Sequence, residues 1–245
     1  MTSIDELKEK LARLKMSAMA QHLESALDAA LKKNLSHLSL IDHLAGLELE
    51  KRRQNAIKLR FLQSKLLEKI TIDQFDFHHH KSRQDQKARI LNLLDLKFIK
   101  ERMDVIMIGN PGTGKTFLSK CIVHAACNAN VKALFVSAMD MINHLISAQA
   151  DSSLLKKLNY YQSPELLAVD EIGYLSLGEQ GSNLFFQVIS ARHQKKSTML
   201  TTNLPFADWG KIFDSTTTAT AIADRLVQNS EVLVFGGISY RRKEK

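Results

Sequence analysis

The stretch Val105 to Thr116, VIMIGNPGTGKT, constrains this chain more than any other: a short apolar run breaks into a turn with three glycines and closes in Lys-Thr. Val105 to Ile108 have the length and composition of a buried parallel strand, and Phe117 to Ala126 have a helical pattern, so the turn joins a strand to a helix. Without a Cβ, Gly109, Gly112 and Gly114 let the backbone reach φ > 0 and gather its N–H groups around an anion, to which the helix N-terminus adds partial positive charge. Such a loop cradles phosphates, with Gly109, Asn110, Pro111, Gly112, Thr113, Gly114, Lys115, Thr116 and Phe117 around the nucleotide. Lys115 brings a full charge to the β and γ phosphates, and the Thr116 hydroxyl is a hard oxygen ligand suited to Mg²⁺. The plain alternative is an ordinary glycine-rich turn. At average glycine usage the specified positions arise by chance about once in a hundred chains of this length, which favours the phosphate reading.

The chemistry expected beyond such a loop follows in order. Leu166 to Glu171, LLAVDE, is an apolar run too short for a helix that closes in two carboxylates. In a parallel sheet functional groups collect at the carboxyl ends of strands, so Asp170 is expected opposite Thr116 across a Mg²⁺ site. Glu171 is expected to polarise the water that attacks the γ-phosphate, a role a protein that only binds nucleotide does not need. Thr198 to Thr201 begins a further strand ending in TTNLP, and an uncharged amide there, Asn203, can hold the γ-phosphate or the attacking water. Ala133 to Ser137 is expected as a strand, Asp140 to Tyr161 as mostly helical, and Ser182 to His193 and Ala219 to Gln228 as helices. EVLVF closes the set as a strand before a hairpin turn at Gly236 and Gly237. Arg225, in AIADRL, reads on sequence alone as a partner of Asp224 or of a nearby helix end.

About a hundred residues precede this region, and they contain no proline and only Gly46 as a glycine, so the usual helix breakers are missing. Ser3 with Glu6 makes a capping box ahead of Ile4, Leu7, Leu11 and Leu14 at helical spacing; a second helix is expected from Ala18 to Leu31 and a third, capped by Ser39, beyond it. That third helix carries Lys51, Arg52, Arg53, Lys58, Arg60, Lys65 and Lys69 against Glu68 alone from 51 to 69. A single-sign run between apolar anchors suits nucleic-acid phosphates, and an acidic protein partner stays open. Thr71 to Asp85 has no sustained period and reads as a linker, with a domain boundary near residue 80 and a helix from Gln86 to Ile99. Its His78, His79 and His80 lack a Cys or carboxylate cluster to complete a metal set, and the stretch is a candidate neighbour of the nucleotide base.

The formal charge of +8 and pI near 9.4 favour an anionic partner. No apolar leader or membrane span is legible, which points to the cytoplasm, and Cys121 and Cys127 fall on different faces of one helix, away from disulfide or metal use.

GNPGTGKT, LLAVDE, TTNLPFADWG and ATAIADRL, in that order, resemble the IstB-like transposition helper ATPases, a branch of the AAA+ superfamily close to DnaC-like helicase loaders. The likeness runs over essentially the whole chain, including the basic helical N-terminus and the FDF of residues 75–77. It implies an α/β fold: an AAA+ P-loop ATPase domain from residue 81, with a parallel five-stranded sheet flanked by helices, and a small all-α N-terminal domain over 1–80. It implies ATP with Mg²⁺, self-assembly on double-stranded DNA, and a transposase as partner. Asn203 would be the sensor and Arg225 an arginine finger acting on a neighbouring subunit's ATP. After Glu231 too little chain follows for a helical lid with a second sensing arginine, and the basic SYRRKEK is expected to be disordered or DNA-adjacent. The runner-up is a helicase loader with a replicative helicase as partner; a small-molecule P-loop kinase and a non-hydrolysing scaffold are more distant.

Overall fold

A computed structural model describes residues 3–237, 239 and 240; the last five residues of the basic tail lie outside the described residues. The chain divides into two compact units, residues 1–59 and 60–245.

The first unit is helical. Helix α1 (Ile4–Arg13) begins with the expected capping box, in which Glu6 N donates to Ser3 Oγ at 3.1 Å and Ser3 N to Glu6 Oε2 at 3.3 Å. Helix α2 (Ser17–Lys33) starts at Met16, whose side chain caps nothing, and ends on Asn34 in the left-handed region, where asparagine is tolerated. Its start is served instead by Glu48 of helix α3 (His37–Ser64), a buried carboxylate accepting from Ala18 N at 2.8 Å. Leu23, Ala26 and Leu44 form the small core. The start of α3 corrects the expected cap: Ser36 Oγ accepts from Ser39 N at 3.2 Å, so Ser36, not Ser39, serves the first turn.

The second unit takes in the end of α3. Phe61, Leu66, Ile72, Phe75 and Phe77 pack into one face of its core, so 71–85 is a packed strap with two 3-10 turns, not a linker, and compactness changes at residue 59 rather than near 80. Hydrophobic packing overrides the missing period there. Helix α4 (Lys81–Asp85) follows, and the helix expected over 86–99 is broken in two, α5 (Lys87–Leu94) and α6 (Lys97–Lys100), by Leu96 at φ 58°.

Five parallel strands then alternate with helices: β1 (Asp104–Gly109), α7 (Lys115–Asn128), β2 (Ala133–Ser137), α8 (Ala138–Ala150), α9 (Leu154–Gln162), β3 (Leu166–Ile172), α10 (Gly178–Arg192), β4 (Ser197–Thr202), α11 (Thr216–Val227) and β5 (Ser230–Phe235). The order across the sheet is β2-β3-β4-β1-β5. Both faces are covered, as a parallel sheet requires: Ile106, Val169 and Leu200 face a core with α8, α10 and α11, while Val105, Met107, Ala168 and Met199 face one with α5 and α7. β5 is the parallel edge partner of β1; among the described residues no strand follows it, and most of the segment that would return from the expected hairpin at Gly236 and Gly237 lies outside the described residues.

Candidate functional site

β1 is flanked by β4 and β5, so its carboxyl end opens between neighbours, and there the chain turns through residues 110–114 into α7. Gly112 and Gly114 hold φ of 78° and 96°, conformations that side chains resist. A Cβ on Gly114 would also come within 2.6 Å of Phe75 Cε2. Lys115, the first residue of α7, is nearly buried and folds back along the loop, donating to Gly109 O at 2.6 Å and Asn110 O at 2.9 Å. Pro111, Gly112, Gly114, Lys115, Thr116 and Phe117 all line a cavity of about 840 Å³.

The carboxylates of β3 arrive at the same edge. Asp170 is buried, and its Oδ1 accepts from Thr116 Oγ1 at 3.1 Å and from Thr201 Oγ1 at 2.5 Å. Two strands and the loop helix thus converge on one carboxylate oxygen. These are hard oxygens on two elements, a donor set that fits Mg²⁺ held by Thr116 and Asp170 with water and phosphate completing the shell.

Glu171 is held differently. The pairing of β3 with β4 slips between Val169 and Ile172, and Glu171 takes φ 61° in this bulge while its N–H donates to Thr201 Oγ1 at 2.9 Å. A bulge re-aims side chains at a strand end, and here it leaves the Glu171 side chain exposed on the cavity wall beside the buried Asp170. A non-glycine residue in this region is strained, a cost that collects at functional sites. Asn203, just beyond β4, lines the cavity with Thr201 and Thr202.

Not every expected residue comes to this cavity. Arg225 on α11 donates to Ala221 O at 2.8 Å and lies 4.7 Å over the Phe186 ring; it does not line the cavity. The Asp224 partnership open to it on sequence is not among its contacts in the described residues. In the basic stretch, Arg52 is joined to Glu48 at 2.9 Å and to Lys15 O at 3.2 Å, and Arg53 grips Glu50 through two bonds of 2.8 and 3.0 Å. These bonds hold the Glu50 carboxyl down at about 2. Both acids lie just upstream of the window that looked unopposed. Arg60, in the second unit, is bound to Asn130. Lys58 and Lys65 are exposed and Lys51 half-buried. The histidines belong to local packing: the His79 ring meets Tyr240, and His80 Nδ1 lies 2.8 Å from Ser82 Oγ.

Thr201, Arg83 and Tyr240 escaped the sequence reading. The hydroxyl of TTN two residues before Asn203 was a legible sign for Thr201; nothing local marks Arg83 or Tyr240, since both depend on where distant segments meet.

A phosphate loop after β1, two carboxylates at the end of β3 and an amide just beyond β4, the strand between those two, gather at the carboxyl end of this sheet. The chain is similar to the DnaC helicase loader (TM-score 0.59, 21% identity, 67% of this chain and 96% of that one) and to AMPPCP-bound DnaA from Aquifex aeolicus (TM-score 0.59, 18% identity, 70% and 51%). The fold is that of an AAA+ P-loop ATPase domain. Sequence narrows the class: residues 9–245 match the family model described as IstB-like ATP binding protein, and the chain belongs to that family. Among its relatives are the ATP-binding protein of insertion sequence IS232 from Bacillus thuringiensis subsp. berliner, 33% identical over 99% of this chain and 96% of the relative, and that of IS21 from Pseudomonas aeruginosa, 36% identical over 98% and 90%. Among the described residues no helix is long and apolar enough to cross a membrane.

Proposed function

We propose that this chain is a Mg²⁺-dependent ATPase that assembles on double-stranded DNA in the cytoplasm and assists the transposase of an insertion sequence. The observation that carries the hydrolytic part is the contrast between adjacent carboxylates: Asp170 is tied to Thr116, while the bulge turns Glu171 into the same cavity. ATP would lie with its phosphates in the loop of residues 109–116 and Mg²⁺ against Thr116 and Asp170, the ion neutralising charge on the β and γ oxygens. Lys115 would leave its two carbonyls for the phosphates. Glu171 would orient and deprotonate the attacking water, and Asn203 would report the γ-phosphate. Arg225, remote from its own chain's cavity, would complete a neighbour's site as an arginine finger.

The family and its insertion-sequence relatives support the transposition setting. The helical N-terminal region, which on the sequence reading runs to about residue 80, would meet DNA or the transposase. Of its basic residues Lys51, Lys58 and Lys65 are better placed for DNA phosphates than Arg52, Arg53 and Arg60, which already serve partners within the chain. ATP turnover measured against protein concentration, with and without duplex DNA, tests the whole reading. Turnover per subunit should rise steeply with concentration and further with DNA. Lys58→Gln with Lys65→Gln should lower the magnitude of the salt slope of DNA binding by up to ~2. Turnover indifferent to both concentration and DNA would point to a monomeric P-loop kinase; stimulation by a replicative helicase instead of a transposase would make the protein a helicase loader.

A further inference from the structure

Two peptide planes of the phosphate loop are gripped by Arg83 and Tyr240, residues far away in sequence that line the same cavity. Arg83, in the middle of α4, is only 3% exposed, and its Nε and Nη2 both donate to Thr113 O, at 3.2 and 2.9 Å. Its Nη1 donates to Asp76 O at 2.8 Å. The guanidinium is faced by two rings, Phe75 at 4.5 Å and Tyr240 at 5.4 Å. Tyr240 in turn donates its backbone N–H to Gly112 O at 3.0 Å, next to Ser239, which leaves no room for a side chain on Gly112.

In a trans peptide the C=O and the N–H of the next residue point in opposite directions, and no cis peptide occurs in the described residues. Holding Gly112 O toward Tyr240 therefore aims Thr113 N–H away from Tyr240, and holding Thr113 O toward Arg83 aims Gly114 N–H away from that guanidinium. These are successive donors of the cradle, in the alternating backbone that makes an anion-binding concavity. From this geometry we infer that Arg83 is a positioning residue for phosphate binding and that, together with the strap at Tyr240, it pre-sets two N–H donors of the loop before nucleotide arrives. The role rests on the nucleotide-binding reading above.

Two consequences distinguish this from a role in packing alone. The effect should fall on phosphate affinity and spare the chemical step, because Arg83 reaches no reacting atom. It should also persist for a ligand that has phosphates and no base. The experiment compares the full-length protein with Arg83→Gln, Arg83→Lys and Tyr240→Pro, the last removing the donor to Gly112 O together with the ring that faces the guanidinium. Affinities for ATP and for inorganic tripolyphosphate are read by competition, with KM and kcat, at a temperature where each variant is folded by circular dichroism. Arg83→Gln should weaken both ligands roughly tenfold or more, the scale of losing charged hydrogen bonds, with KM rising and kcat within about threefold. Arg83→Lys should recover part of the affinity, because an ammonium can reach one carbonyl but cannot fork to two. Tyr240→Pro should weaken both ligands severalfold, the scale of losing one neutral hydrogen bond and the ring contact with Arg83. Loss of ATP affinity with unchanged tripolyphosphate affinity would overturn the proposal by assigning Arg83 to the base. Equal affinities in Arg83→Gln and the parent would overturn it outright, and if Arg83→Gln does not fold, unchanged affinities in Tyr240→Pro would do so. Absence of ATP binding in the parent protein would instead sink the nucleotide reading.

Discussion

The two ends of the parallel sheet each bury an aspartate against β4, and they put it to opposite uses. At the carboxyl end Asp170 accepts from Thr201 Oγ1 and Thr116 Oγ1, two residues that line a cavity with Glu171. At the amino end Asp104 accepts from Thr198 N at 2.6 Å in a closed cluster with Arg192. Arg192 is 1% exposed and spends its guanidinium on protein: Tyr161 O and Gln162 O at the end of α9, Pro164 O just beyond it, Ser197 O, and Thr198 Oγ1. Burial pulls its pKa down to about 10, leaving it charged at neutral pH. Similar residue types thus make a saturated joint at one end and an open ligand set at the other. Burial and charge alone do not mark a functional site; coordinating capacity facing a cavity does.

The largest expected effect lies at the open end. Glu171→Gln should lower ATP turnover by two to four orders of magnitude, the usual span for a positioned general base, while ATP affinity stays within a few fold. Lys115→Ala should lose affinity itself. Single-turnover kinetics with an equilibrium binding assay separates the two, and equal loss of binding in both would erase the special role of Glu171. Glu171→Gln should not shift the urea midpoint much, since Glu171 is exposed.

The closed end should answer in stability instead. Arg192→Met strands four carbonyls and should cost about 3 kcal/mol or more in urea unfolding, with KM for ATP unchanged under folding conditions. Arg192→Lys should not rescue it, because one ammonium cannot serve acceptors spread around a planar fork. A rise in KM without loss of stability would mean that the two ends communicate and that the contrast is false.

The smallest effect concerns pH. Burial pushes the Asp104 carboxyl up to about 7, against the electrostatic pull of Arg192 and the bond from Thr198. The folded state therefore holds a proton that the unfolded state, titrating near 4, has released, so stability should fall as pH rises from about 4 to 7 and level off above. Asp104→Asn should flatten that slope by about 1–2 kcal/mol between pH 5 and 8. Melting temperatures of both proteins across that range provide the check; parallel profiles would mean that the site titrates elsewhere.

The loop of residues 109–116, the Asp-Glu pair, the five strands and the main helices of the second unit were legible because each is dictated locally. Glycine spacing, a four-residue apolar run before carboxylates and periodic leucines need no distant partner to have meaning. β2 was read to the residue, and the capping box at Ser3 likewise. Two stretches differ from their sequence reading, each for its own reason. The strap at 71–85 has no period because its aromatic residues pack one by one onto a core assembled from other segments. The window from 51 to 69 looked unopposed because pairing along a helix reaches back three or four residues, to Glu48 and Glu50. Only the tertiary structure decided the bulge that parts Glu171 from Asp170, since a register slip belongs to two strands together. It alone joined Arg83 and Tyr240 to the phosphate loop, across 30 residues in one case and from the far side of the last strand in the other. Local chemistry in this chain determined which groups could react; long-range packing decided which were aimed, because orientation is a property of the surfaces that hold a residue and those come from elsewhere in the sequence.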